Sequence, residues 1–285
     1  MDSLRVVLLG CGVVGSQVAR LLHENAADLE QRAGVKIELA GIAVHDLAAA
    51  PEFLDSDLFS TDAVALIQQV KPDIVVELIG GIEPAREFIL AAINGGASVV
   101  TANKALLAVH GTEIFAAASA KGVMVAFEAA VAGGIPIIKA LREGLTANSI
   151  QWVAGIINGT TNFILSEMRE KGLDFDVVLK EAQRLGYAEA DPTFDIEGVD
   201  AAHKANLMSA LAFGIPVQFD KAYVEGITKL GAADIKYAEQ LGYRIKLLGI
   251  TKRTDAGVEL RVHPSLVPTQ RLIANVEGAM NAVMV

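Results

Sequence analysis

A single cysteine, Cys11, in 285 residues excludes an intrachain disulfide and any cysteine-built zinc site. That scarcity fits a reducing compartment, and a cytoplasmic protein is expected. Long apolar runs are also missing. Every stretch is broken by Gly, Pro or a charge well before the roughly 20 residues that cross a bilayer. The opening MDSLRVVLLG carries Arg5 where a signal peptide would be apolar, and it turns directly into glycines. No Lys/Arg cluster is present, and 34 acidic against 24 basic residues give a net charge of −10. Such a surface repels phosphate backbones, so neither nucleic acid nor a membrane is expected as a partner. Aromatic residues make up 5% and hydrophobic residues 52%, so the core is mainly aliphatic, as in a parallel sheet flanked by helices.

What is present has a clear order. Short β-type runs at Val6 to Leu9, Ile37 to Val44, Ile74 to Leu78, Ser98 to Thr101 and Val123 to Phe127 are strands. Between them lie helical patterns at Val14 to Leu22, Thr61 to Val70, Pro84 to Asn94 and Gly111 to Ala120, with Thr61 as an expected N-cap. Strict alternation of this kind builds a parallel sheet through right-handed crossovers. After Gly133-Gly134 the alternation lapses. Helices are expected at Ile135 to Arg142, Asn162 to Glu170, Asp176 to Leu185 and Asp200 to Phe213. Strands are expected at Ile150 to Ile157, Glu259 to Val262 and Ala279 to Val283. The fold class is therefore α/β: a Rossmann-type domain over 1–140 and a second, α+β domain over 141–285.

Gly10-Cys11-Gly12-Val13-Val14-Gly15 follows the first strand and opens a helix, the setting that the dinucleotide fingerprint requires. Gly10 allows the tight turn, Gly12 the approach of a pyrophosphate, and Gly15 close packing of helix on strand. The helix N-terminus offers backbone N–H groups to phosphate. Cys11 is read as a small loop residue rather than a nucleophile. The ribose should meet the end of the second strand, where His45 and Asp46 stand and no Arg or Lys occurs from Gly41 to Ser60. By itself that favours NAD, or no strong preference between NAD and NADP.

The densest polar segment runs from Gly186 to Lys204. Five acidic residues fall in a stretch punctuated by Pro192 and Gly198 that leads into a helix. Asp200 and Lys204 are four apart and share a helix face, with the acid preceding the base. On most helices such a pair is a solvated ion pair worth a few tenths of a kcal/mol. Here the helix continues almost uncharged from Ala205 to Leu211, which places Lys204 in a partly buried setting and favours a chemical role.

The pattern A-x3-G-Y-A-x2-D-P-x2-D-I-x-G-x-D-x3-K, from Ala182 to Lys204, resembles the signature of homoserine dehydrogenases. Further stretches resemble the same family in the same order: Glu77 to Gly81, Thr101 to Lys104, Asn158 to Asn162, and Gly278 to Val283. The resemblance implies NAD(P)-dependent, reversible reduction of L-aspartate 4-semialdehyde to L-homoserine on the route to threonine and methionine. By matching position it makes Lys204 the proton donor, and it has Asp200 and Glu189 hold the substrate. Lys104 lies near cofactor and substrate, and Asp195 supports the polar cluster. Beside Gly10, Gly12, Val13, Val14 and Gly15, it assigns His45, Lys104, Gly186 and Glu189 to cofactor contacts. It further implies a sodium-type monovalent cation at Glu128, Val131, Gly133 and Ile135, and a homodimer formed through the second domain. His45 departs from the basic residue usual there, and the family continues past the position of Val285, so the chain resembles a truncated member. A non-catalytic nicotinamide sensor, or a dehydrogenase of another small amino or hydroxy acid, is the alternative.

Overall fold

The computed structural model describes residues 3–47, 51 and 53–285. Two compact units divide at Ala130/Val131. In the first, β1 (Ser3–Leu9), α1 (Val13–Glu24), α2 (Ala26–Ala33) and β2 (Lys36–Ala43) are followed by β3 (Phe59–Ser60), α3 (Ala63–Val70) and β4 (Ile74–Glu77). α4 (Ala85–Asn94), β5 (Ser98–Thr101), α5 (Lys104–Lys121) and β6 (Val125–Ala126) complete it. The six strands are parallel in the order β3-β2-β1-β4-β5-β6. The chain starts in the middle of the sheet, builds outward to one side, then returns to build the other. That reversal leaves a crevice at the carboxyl ends of β1 and β4, where doubly wound folds bind ligands. Val6 to Leu9 are fully packed because both faces of a central parallel strand lie under helices.

Two local expectations are corrected. Thr61 does not cap α3; Asp62 does, its Oδ1 accepting from the Ala65 N–H at 2.9 Å. The helix expected from Gly111 begins seven residues earlier, at Lys104, because the Asn103 side chain accepts from Leu106 N at 3.1 Å and starts it there.

The second unit holds α6 (Ile137–Lys139), which runs into a single π-turn, and then β7 (Trp152–Ile156), α7 (Gly159–Lys171) and α8 (Phe175–Arg184). α9 (Thr193–Ile196), α10 (Val199–Phe213), β8 (Tyr223–Val224) and α11 (Ala232–Gln240) follow. β9 (Tyr243–Thr254), β10 (Gly257–Pro268) and β11 (Ala282–Met284) close it. Its mixed sheet has the order β11-β7-β9-β10-β8, antiparallel except between β10 and β8. The long hairpin β9–β10 was not expected as such. Only Glu259 to Val262 carried a strand signal, and β9 contains a lysine, Lys246, that is 2% exposed. α10 packs closely on β9: a Cβ on Gly249 would lie 3.2 Å from that of Ala205 and 2.7 Å from Ile157 Cδ1. That close approach carries the Asp200–Lys204 face to the end of β7.

Candidate active site

In the first unit the glycine loop has the geometry its spacing predicts. Gly10 sits at φ +93°, a conformation L side chains rarely adopt, and a Cβ there would come within 2.9 Å of the Leu78 oxygen. On Gly15 a Cβ would lie 2.1 Å from the Gly10 oxygen, so α1 can approach β1 only without a side chain at that position. A Cβ on Gly12 would meet nothing within 4 Å; its open side is where a ligand can come close. The first helical bond of α1 runs from Ser16 N to Gly12 O, 2.9 Å, leaving the N–H groups of Val13, Val14 and Gly15 without a helical acceptor. The side chains of Val13 and Val14 are exposed. A cavity of about 510 Å³ opens here, lined among others by Gly10, Gly12, Val44, His45, Thr61 and Ile79. Its size suits a small-molecule site. His45 and Asp46 line its β2 side, and none of the described lining residues is Lys or Arg. Burial pushes the Cys11 thiol up, so the thiolate is disfavoured, as expected for a loop residue.

The far side of the same crevice is organised by Glu77, Thr101 and Asn103, polar residues at or just beyond strand ends. Glu77, at the end of β4, is fully buried, and its Oε1 accepts from the Ile79 and Gly80 N–H groups at 2.9 and 3.0 Å. Its Oε2 accepts from Thr101 Oγ1 at 2.6 Å. Thr101 Oγ1 in turn accepts from Asn103 N, and Asn103 Nδ2 donates to Gly81 O at 2.7 Å. One carboxylate thus ties the loop after β4 to the loop after β5, and Lys104 follows as the first residue of α5. Polar residues at strand ends were the available signal, but only folding shows that they bond to one another.

In the second unit the dense acidic segment closes on itself around Lys204. Lys204 Nζ donates to Asp200 Oδ2 at 2.7 Å and to the Ile157 carbonyl, at the end of β7, at 2.8 Å. The two side chains are only 16% and 5% exposed, which sets this pair apart from a solvated surface bridge. Asp195, on α9, and the Tyr187 carbonyl share the single Thr160 hydroxyl hydrogen, the Tyr187 oxygen lying 2.7 Å and Asp195 Oδ2 3.2 Å from Thr160 Oγ1. Asn158 Nδ2 donates to Asp195 Oδ1 at 2.7 Å and to Asp200 Oδ2 at 2.9 Å. Gly186 (φ +80°) ends α8, and the loop beyond it carries Glu189, whose side chain is exposed and whose carbonyl accepts from Gln183 Nε2 at 3.1 Å. Asp195, Asp200 and Lys204 therefore form one hydrogen-bonded cluster, with Glu189 on the connecting loop. A mostly buried ammonium held by a carboxylate and a carbonyl, on a side chain that keeps some exposure, is a geometry for proton transfer.

Glu128 lies in a 3₁₀ turn, and Val131, Gly133 and Ile135 in the irregular segment that follows. Ala132 and Gly134 there have φ of +47° and +89°. Among the described residues no group of three or more His, Cys, Asp or Glu side chains is gathered as metal ligands would be. A cation in this segment would rely on backbone oxygens.

Residues 136–285 match the family model described as homoserine dehydrogenase, and residues 10–128 match the one described as homoserine dehydrogenase, NAD binding domain. The chain belongs to the homoserine dehydrogenase family. It is 60% identical to the homoserine dehydrogenase of Pseudomonas aeruginosa over 291 residues, covering 100% of this chain and 65% of that protein. The crystal structure of a homoserine dehydrogenase from Thiobacillus denitrificans is 64% identical with a TM-score of 0.93, over 99% of this chain and 66% of that one. A hyperthermophilic archaeal homoserine dehydrogenase in complex with NADPH matches with a TM-score of 0.81 at 27% identity, over 99% of this chain and 87% of that one. The chain spans 65% of the length of the Pseudomonas relative. Among the described residues no helix is long and apolar enough to cross a membrane.

Proposed function

We propose that the chain carries the catalytic machinery of an NAD(P)-dependent homoserine dehydrogenase, interconverting L-aspartate 4-semialdehyde and L-homoserine in the cytoplasm. The observation that carries this reading is the buried Lys204 ammonium, gripped by Asp200 and the Ile157 carbonyl beside Asp195. Membership of the family supports it.

The N–H groups of Val13, Val14 and Gly15 would hold the pyrophosphate of a nicotinamide cofactor, which when bound would supply or accept the hydride at the carbon of the aldehyde or alcohol. In the reducing direction Lys204 gives its proton to the carbonyl oxygen as negative charge develops there. In the oxidising direction Lys204 takes that proton back from the hydroxyl. Asp200 and the Ile157 carbonyl orient the ammonium. Glu189, with Asp195 and Asp200, binds the substrate, and the Glu189 carboxylate suits its α-ammonium group. Lys104 serves at the cofactor and substrate, presented by the loops that Glu77 ties together. The absence of Lys and Arg from the described lining of the cavity supports use of NAD at least as readily as NADP, with His45 and Asp46 at the ribose. Gly186 lies with the cofactor contacts.

The monovalent cation of the resemblance is assigned to Glu128, Val131, Gly133 and Ile135; the left-handed turns at Ala132 and Gly134 support oxygen ligation by such a backbone. The homodimer is assigned to the sheet of the second unit. Ile250, Ala282 and Met284 are only partly covered there, around a core of Ile156, Leu248 and Val267.

The test is the rate of cofactor reduction with L-homoserine at alkaline pH, using NAD and NADP in turn, for this chain beside one extended to the relatives' length. Turnover with NAD at least matching NADP is expected. Absence of turnover from the extended protein with either cofactor overturns the reading.

A further inference from the structure

Asn158 stands between β7 and α7, 5% exposed, and its carboxamide is fully engaged. Its Oδ1 accepts from the Thr161 N–H at 2.8 Å and from Thr161 Oγ1 at 2.9 Å. A backbone N–H can only donate, so the oxygen must face α7 and the NH2 must face the other way. Both of its hydrogens are then spent on carboxylates: Asp195 Oδ1 at 2.7 Å and Asp200 Oδ2 at 2.9 Å. The second of these is the oxygen that also receives the Lys204 ammonium, at 2.7 Å.

We propose that Asn158 is a positioning residue: anchored by the N-terminus of α7, its amide clamps Asp195 and Asp200 together and so fixes the seat of Lys204. This rests on the reading of Lys204 as the proton donor. Asp195 is on α9 and Asp200 on α10, with Gly198 between them at φ +82° as the joint of the two helices. Two carboxylates brought this close repel each other unless a donor lies between them. Asn158 supplies that donor without adding a charge, and it holds one Asp200 oxygen in the direction that Lys204 needs. Thr160 braces the same Asp195 from the opposite end, against the Tyr187 carbonyl.

A residue that merely capped α7 would tolerate aspartate or serine, which cap as well as asparagine. A clamp would not. Asn158→Asp keeps the shape and the cap but sets a third carboxylate against Asp195 and Asp200; Asn158→Ser keeps the cap and, without adding charge, leaves one O–H on a shorter side chain where two N–H donors bridged the carboxylates. The charged groups facing position 158 are Asp195 from α9 and Asp200 and Lys204 from α10.

With wild type turning over L-homoserine, Asn158→Asp is expected to lose about 100-fold in kcat, the scale of an ångström of misplacement. KM for the cofactor should change by no more than about twofold, since the dinucleotide loop is untouched. Asn158→Ser should fall between the two. The deficit of Asn158→Asp should shrink as pH falls and a shared proton restores a donor among the carboxylates. A kcat for Asn158→Asp within about threefold of wild type overturns the proposal and leaves Asn158 a cap. Thermal unfolding judges the clamp without turnover, so its failure is distinguishable from failure of the functional reading. Asn158→Asp should melt several degrees below wild type at pH 8, with the gap closing near pH 5. Equal midpoints at pH 8 overturn the clamp whatever the activity.

Discussion

Lys204 shows how a residue common on protein surfaces becomes chemically distinct by placement. An i,i+4 pair with aspartate is ordinarily solvated and nearly neutral in energy. Here both partners are largely withdrawn from water, and the ammonium takes a second bond from the end of a neighbouring strand. Proton donation by a positioned group contributes roughly 10²–10⁴ in rate. Lys204→Ala is therefore expected to lower kcat by about that factor while leaving cofactor affinity, measured by fluorescence quenching, within about twofold. Retained turnover would remove Lys204 from the mechanism. The polar types at 195, 200 and 204 and their spacing were legible in the sequence. Asn158 was not, because its importance lies in bonds to residues 37 and 42 positions away.

At the level of single elements, the glycine loop separates two kinds of glycine that a spacing rule treats alike. Gly12 has extended backbone, φ −72° and ψ −154°, and open space beyond it. Gly12→Ala should fold with an unchanged melting temperature and bind nicotinamide cofactor at least about tenfold more weakly, because only the ligand competes for that space. Gly15→Ala meets the Gly10 oxygen at 2.1 Å and must push α1 away from β1. A loss of about 1–3 kcal/mol in urea unfolding is expected even without cofactor. Equal stability losses in the two variants would contradict this division. Elements with a strong period, such as β1 and α4, were legible locally. The start of α5 was not, since it depends on the Asn103 cap held by Glu77 and Thr101. β9 was missed because a lysine interrupts its apolar run, and the sequence does not show that Lys246 is buried.

Across the whole molecule, Lys246 couples folding to pH. It donates to Asn162 Oδ1 at 3.1 Å and Val276 O at 2.6 Å, and it lies 3.8 Å from Glu277, which also pairs with Arg169 and Arg244. Burial pulls its pKa down from 10.5 to about 8, against the pull of Glu277. Between those values the unfolded chain holds a proton that the folded one has lost, so this group's contribution to stability rises with pH through that window. Relative to Lys246→Met, the wild type should gain up to about 3 kcal/mol over that interval, read from urea midpoints. Parallel pH curves for the two proteins would refute the shift. Composition and alternation determined the α/β class, the glycine spacing determined the dinucleotide loop, and the Ala182 to Lys204 pattern determined the family; each is a local regularity that survives without coordinates. Only the tertiary structure decided which polar residues share hydrogen atoms. Asn158 between two carboxylates, Glu77 between two loops and Lys246 inside a sheet all depend on contacts between segments far apart in the chain, and no periodicity in the sequence encodes such contacts.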